Sequence, residues 1–96
     1  MIIYSIEICV DKEIAEEWLN WMKYKHIPDV MKTNLFTQFK MFKNIDLENT
    51  YTIKYELNSM EEYLKYQKEF ASHLQKEHTE KFKGKFQAER RLLKMI

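Results

Sequence analysis

The order of hydrophobic patterns along the chain constrains the fold more than any other feature of the sequence. Residues 2–10 alternate β-branched or aromatic side chains with a mixed set, which predicts a strand with one buried face. The next apolar side chains recur every three or four residues, at Ile14, Ala15, Trp18, Leu19 and Met22. This spacing predicts a helix that lays one face on a sheet. Because Pro28 disfavours helical backbone at the residue before it, we expect the helix to end just after His26.

The second half of the chain predicts two more strands, a helix and a final strand. Residues 36–44 and 50–57 alternate on either side of the polar residues 46–49, so they predict a hairpin. Residues 59–62 read Ser-Met-Glu-Glu, a capping box that marks the start of a helix. Gly84 ends that helix, and residues 85–96 predict a fourth strand. The inward face of that strand has two candidates, Phe86/Ala88/Leu92 and Leu93/Met95.

The resulting order, β-α-β-β-α-β, is the ferredoxin-like pattern of the α+β class. Two right-handed crossovers place both helices on one face of a four-stranded antiparallel sheet. The length of 96 residues predicts one domain, residues 1–96. The other face of the sheet is too mixed for a core and too close to apolar groups to be plainly solvated; it carries Ser5, Glu7, Cys9, Thr52, Lys54 and Glu56. We therefore expect a homodimer, a dimeric α/β barrel, in which two such faces meet.

Composition excludes several classes of protein. The chain has 16 basic and 15 acidic residues, so it lacks the strongly basic surface that drives nucleic-acid binding. The apolar N-terminus has no basic start and is cut short by Glu7, so neither a signal peptide nor a membrane span is predicted, and the cytoplasm is the expected location. The single Cys9 cannot form an intrachain disulfide, and we expect it to be an inert buried thiol.

The segment 18–31 is the best candidate for a functional site. His26 follows two tryptophans and is open to two interpretations, a general base or ligand in a pocket, or a helix-end histidine that satisfies backbone carbonyls. Trp18 lies on the apolar stripe and should be core, whereas Trp21 is nearer its edge and is the better ligand contact. Tyr4 is a third candidate, although the apolar face of its strand also suits the core. A pocket histidine should titrate near neutral pH.

No cofactor or metal is predicted. His73 and His78 are five residues apart on a helix, so they point in different directions and cannot hold one metal ion together. The sequence contains no glycine-rich phosphate loop, nucleophile elbow or zinc-ligand spacing.

Four segments together resemble a bacterial family of small proteins that is known only as a domain of unknown function. They are Met1-Ile2-Ile3-Tyr4, Trp18-x-x-Trp21-Met22, His26-Ile27-Pro28-x-Val30 and Phe82-x-Gly84-Lys85-Phe86-x-Ala88-x-Arg90. That family looks like a member of the dimeric α/β-barrel group, whose ferredoxin-like subunits pair sheet to sheet. The group includes cofactor-free monooxygenases, lactone isomerases, haem-degrading enzymes and small ligand-binding proteins. The resemblance implies the fold and the dimer, and it implies no activity.

Three functional hypotheses follow. The first is a dimer that binds a small molecule in a cleft between helices and sheet. The second is an enzyme similar to cofactor-independent monooxygenases or isomerases, with His26 as the base. The third is a structural or protein-interaction module. A ligand retained through purification favours the first, turnover of an activated carbonyl or phenol favours the second, and neither result favours the third.

Overall fold

The four predicted strands form one antiparallel sheet. The structure is a computed structural model that describes residues 1–96. The strands are β1 (Ile2–Val10), β2 (Gln38–Lys43), β3 (Thr50–Leu57) and β4 (Phe86–Lys94). Their order is β2-β3-β1-β4, so β1 lies in the interior of the sheet and pairs antiparallel with β3 and β4. With one helix after β1 and one after β3, this arrangement confirms the predicted ferredoxin-like fold.

Strand β2 begins two residues later than predicted. The chain leaves the first helix through Asn34, whose φ of 62° lies in the left-handed region. Phe36 then turns into the core, where it is buried, instead of joining the alternation of the strand. The hydrophobicity of Phe36 is therefore a packing signal and not a strand signal.

The first helix does not end before Pro28, which corrects the prediction that this proline breaks it. Helix α1 joins a 3-10 turn (Lys12–Ile14), α-helical turns (Ala15–Trp21), a π-helical turn (Met22–His26) and α-helical turns (Ile27–Met31). In the π-helical turn the Ile27 N–H donates to the Met22 carbonyl, five residues back. A wider turn tolerates Pro28, because the proline ring has no N–H to donate and needs room beside the preceding turn. His26 therefore lies inside a continuous helix and not at its end.

The second helix, α2, also contains a π-helical turn. It joins α-helical turns (Met60–Tyr66), the π-helical turn (Gln67–Ala71) and further α-helical turns (Ser72–Lys81). Its start confirms the capping prediction, because the Ser59 hydroxyl accepts from the Glu62 N–H. The Glu62 carboxylate in turn accepts from the Asn58 N–H. After the helix, Gly84 has a φ of 74°, a left-handed conformation that glycine adopts without strain.

The core lies between the inner face of the sheet and the two helices. The inner face contributes alternate residues of β1 and β3, namely Tyr4, Ile6, Ile8, Val10, Tyr51, Ile53, Tyr55 and Leu57. Trp18 is completely buried and Trp21 is half-buried, as the helical spacing predicted. Burying a large apolar side chain contributes about 1.5–3 kcal/mol, so this cluster supplies most of the driving force for folding.

The register of β4 decides between the two candidates for its inward face. Arg90 pairs with Ile6, an inward residue of β1, so Phe86, Ala88, Arg90 and Leu92 share the inner face. Arg91 pairs with Ser5 and shares the outer face. The alternation thus sends two neighbouring arginines to opposite sides of the sheet.

Two rows of charge cross the outer face of the sheet. The basic row is Lys40, Lys54, Ser5 and Arg91, and the adjacent acidic row is Phe42, Thr52, Glu7 and Glu89. Cys9 is also on this face and is exposed, which corrects the prediction of a buried thiol. The period of two places Cys9 with Ser5 and Glu7, and not with the buried Ile8 and Val10. Neither helix of the structure is long and apolar enough to cross a membrane.

Candidate functional site

A cleft opens between the inner face of the sheet and both helices. The empty space of the cleft, with its open mouth included, is about 420 Å³. The part that can hold the centre of a water molecule is only about 30 Å³. The apolar part of the lining is Ile6, Ile8, Met22, Val30 and Ile53. The polar part is Tyr4, Tyr55, Tyr66, His26, His78, Gln75 and Arg90. The small free space is large enough for water, and more than half of the side chains that line it carry a polar group.

His26 lies in the π-helical turn of α1 and lines this cleft. Its ring stacks on Trp21, with ring centroids 5.3 Å apart and planes 28° apart. His26 Nδ1 is the one buried side-chain nitrogen or oxygen of the chain that has no hydrogen-bond partner. Burial lowers the pKa of His26 from its usual 6.5 to about 4, so the imidazole is neutral at pH 7. The expected titration near neutral pH is therefore wrong for the protein without ligand.

His78 lies on α2, on the other side of the cleft. The Trp18 Nε1–H donates to His78 Nε2 at 2.8 Å, and both residues are buried. An indole nitrogen can only donate, so His78 Nε2 must be unprotonated and the imidazole proton must sit on Nδ1. Burial also lowers the pKa of His78 to about 4, with smaller contributions from His26 and Arg90. The ring centroids of the two histidines are 5.7 Å apart.

Three tyrosines form the aromatic wall of the cleft. The ring of Tyr4 lies 6.2 Å from that of Tyr55 and 6.0 Å from that of Tyr66. Burial raises the pKa of all three hydroxyls, so they are neutral donors at pH 7. The Tyr4 hydroxyl accepts a long hydrogen bond, 3.5 Å, from the Gln75 amide. The hydroxyls of Tyr55 and Tyr66 have no hydrogen-bond partner in the protein, and both residues line the cleft.

Arg90 supplies the positive charge at the mouth of the cleft. It lines the cleft from β4 and is exposed. The ion pairs of the chain involve other residues, and the neighbouring Arg91 pairs with Glu89 at 3.1 Å on the outer face. Arg90 opposes protonation of both histidines and lowers the pKa of each. The cleft therefore has a guanidinium without an ion pair at its mouth and neutral imidazoles within.

The structure brings the three predicted site residues to one region of the molecule. Tyr4 and His26 line the cleft, and Trp21 stacks on His26 from behind without lining it. Sequence reasoning missed Tyr66, Arg90 and the part played by His78. His78 did carry a signal, because it continues the buried helical spacing of Ala71 and Leu74. No group of three or more histidine, cysteine or acidic side chains is close enough to hold a metal ion.

Solved structures of other proteins share this fold over nearly their whole length. A variant of SnoaB, a cofactor-independent oxygenase from Streptomyces nogalater, has 10% identity and a TM-score of 0.74, over 98% of this chain and 92% of that chain. An antibiotic biosynthesis monooxygenase has 9% identity and a TM-score of 0.70, over 100% and 99%. A conserved protein from Methanosarcina mazei Go1 has 14% identity and a TM-score of 0.75, over 100% and 94%. At these identities the likeness shows the fold alone.

Sequence comparison gives the family directly. No curated protein matches the chain significantly. The resemblance to a domain of unknown function is confirmed by a family model that matches from the first residue to the last. Since that model covers residues 1–96, the chain belongs to the family described as "Domain of unknown function (DUF4286)".

Proposed function

We propose that this protein is a homodimer that binds a small molecule in the cleft between its helices and its sheet. The observation that carries the proposal is the set of polar groups in the cleft that have no protein partner. His26 Nδ1 is buried without a hydrogen bond, and the hydroxyls of Tyr55 and Tyr66 are also unpaired. Most buried polar groups in proteins are hydrogen-bonded, so these are the groups that a ligand, or water before it, would satisfy.

A ligand-retaining purification tests the binding proposal. Native mass spectrometry of the gently purified protein should show a bound mass that is lost on denaturation. The variant His26→Ala should lose that mass while its far-UV circular dichroism spectrum stays that of the wild type. His73→Ala is the matched control, because His73 lies on the same side of the sheet but is exposed and away from the cleft. A wild-type protein with no bound mass, or His26→Ala with the mass retained, would argue against binding in the cleft.

The charge rows of the outer face support the dimer. Consider two copies whose outer faces meet about a two-fold axis that runs perpendicular to the strands and between the two rows. This axis places the basic row of each copy over the acidic row of the other. An axis along the strands would instead stack basic row on basic row. Self-complementary charge of this kind fits an isologous contact between identical surfaces. Phe42 and Leu93, both exposed on this face, add apolar surface to it.

Charge reversal tests both the dimer and its charge rows. Sedimentation equilibrium should show a wild-type dimer at micromolar concentration and weaker self-association for Lys54→Glu and for Glu7→Lys alone. A mixture of these two variants should recover a dimer, because the reversed charges are again opposite. Lys23→Glu, an exposed change on α1, should leave the assembly unchanged. A monomeric wild type would refute the dimer, and failure of the mixture to recover it would refute the pairing of rows.

Cofactor-independent oxygenase or isomerase chemistry, with His26 as general base, is the second candidate. The fold shared with a cofactor-independent oxygenase favours it. Against it stands the pKa of His26, which burial lowers to about 4, because a useful general base has a pKa near the working pH. Oxygen uptake with an activated phenol, compared between wild type and His26→Ala, distinguishes catalysis from binding.

A further inference from the structure

We infer that the ligand of the cleft is a small planar acid, held as its anion with the negative group at Arg90 and the flat part among the aromatic rings. The inference rests on the proposed function and names the chemical class that this site would take. A carboxylate, a phenolate and an enolate share the required chemistry, because each joins a negative oxygen to a flat framework.

The balance of charge around the cleft points to an anion. Among the twelve residues that line it, Arg90 is the only one that carries a full charge at neutral pH, since His26 and His78 are neutral. No aspartate or glutamate lines the cleft. A cationic ligand would meet a guanidinium without any carboxylate to offset it. An anion would gain a charge-assisted hydrogen bond from a side chain that has no ion-pair partner in the protein.

The hydrogen-bonding groups of the cleft are mainly donors. The bond from Trp18 occupies His78 Nε2, which leaves the Nδ1–H of His78 as a donor. The hydroxyls of Tyr55 and Tyr66 are unpaired and can donate. These donors suit an oxygen-rich acceptor more than an amine. The grouped aromatic rings of Tyr4, Tyr55 and Tyr66 offer stacking surfaces that favour a flat molecule over a branched one.

Two neighbouring arginines make a matched pair for the test. Arg90 faces the cleft, whereas Arg91 faces the outer side of the sheet and is paired with Glu89. Each is exposed, so Arg90→Gln and Arg91→Gln remove the same charge from the same strand. Because Arg91 also lies in the basic row of the proposed dimer contact, the variants are compared at a protein concentration at which sedimentation shows the same assembly for both. Equal far-UV circular dichroism spectra of the two variants would establish that the fold is intact in both.

The probes are benzoate and 2-naphthoate, with the uncharged amides benzamide and 2-naphthamide as controls of the same shape. Binding to the full-length protein is followed by NMR, with the indole signal of Trp21 and the imidazole signals of His26 as reporters. We expect the carboxylates to shift these signals and to bind about tenfold or more tightly than the amides. Arg90→Gln should remove that advantage, and Arg91→Gln should keep it.

Equal affinity of acids and amides, an unchanged preference in Arg90→Gln, or loss of the preference in Arg91→Gln would each overturn the inference. Absence of any shift up to the solubility limit would overturn it as well. The proposed function is judged separately, by the mass retained on the purified protein, so the site can bind a ligand even if that ligand is not an acid.

Discussion

The hydrogen bond from Trp18 to His78 links the two helices beside the cleft and provides a quantitative test of the structure. Trp18 Nε1 lies 2.8 Å from His78 Nε2, and the Trp18 side chain has no surface exposed to solvent. Trp18→Phe keeps an aromatic ring and removes the donor. Without this donor the buried His78 Nε2 has no hydrogen-bond partner, which should lower the free energy of unfolding by about 1–3 kcal/mol. The smaller ring leaves a cavity that adds roughly 1 kcal/mol, so the total loss should be about 2–4 kcal/mol.

A double-mutant cycle separates the hydrogen bond from the cavity. His78→Leu removes the acceptor and leaves the buried indole N–H unpaired, at a cost of about 1–3 kcal/mol. The double variant Trp18→Phe/His78→Leu has neither unpaired group, so its loss should fall short of the sum of the single losses by both unpaired-group costs together, about 2–6 kcal/mol. Urea unfolding followed by far-UV circular dichroism measures all four proteins. Additive losses would show that the two side chains do not form this bond, and Trp21→Phe is the control, because the Trp21 indole makes no hydrogen bond.

Three further predictions use simpler measurements. Trp18→Ala should cost about 3–5 kcal/mol in urea melts and Trp21→Ala clearly less, and equal losses would contradict the assigned burial. Because the pKa values of His26 and His78 lie near 4 in the folded protein and near 6.5 when unfolded, the unfolded chain binds more protons between these values. Stability should therefore be full above about pH 6.5 and fall by a few kcal/mol as the pH drops towards 4, with the slope reduced in His26→Ala; a flat profile would refute the buried neutral pair. Gly84→Ala should cost about 1 kcal/mol from its φ of 74° alone, and Gly84→Asn less, since nothing lies within 4 Å of an added Cβ.

The overall fold follows from local patterns because each pattern in this chain agrees with its place in the sheet. The alternation in β1 and β3 is regular, Ser59 caps the start of α2, and Gly84 lies in the turn three residues after its last residue, Lys81. The fourth strand was harder because it carries arginine on both faces, so hydrophobicity alone could not fix its phase. Only pairing with Ile6 shows that Arg90 faces inward. The sequence alone therefore could not identify Arg90 as the charged residue of the site.

The candidate site was predicted in part, and the two errors about His26, its place at a helix end and its titration, share one cause. The expectation of a break before Pro28 assumed α-helical spacing, in which the proline ring clashes with the preceding turn. The π-helical turn relieves this clash, and it keeps His26 inside a helix and against Trp21. The lowered pKa of His26 then follows from burial, which helix-end placement would not have produced.

The π-helical turns of α1 and α2 bear on how this chain should be compared with its relatives. A π turn holds one residue more than an α turn, so each is equivalent to a single inserted residue that leaves the helix unbroken. Beyond such a turn every side chain is rotated by about a third of a turn relative to a plain α-helix of the same sequence. An alignment that forbids gaps inside helices would therefore set His26 against the wrong residue of a relative that lacks the turn. Tyr24, 81% exposed at the middle of the first π turn, is the natural place for that gap.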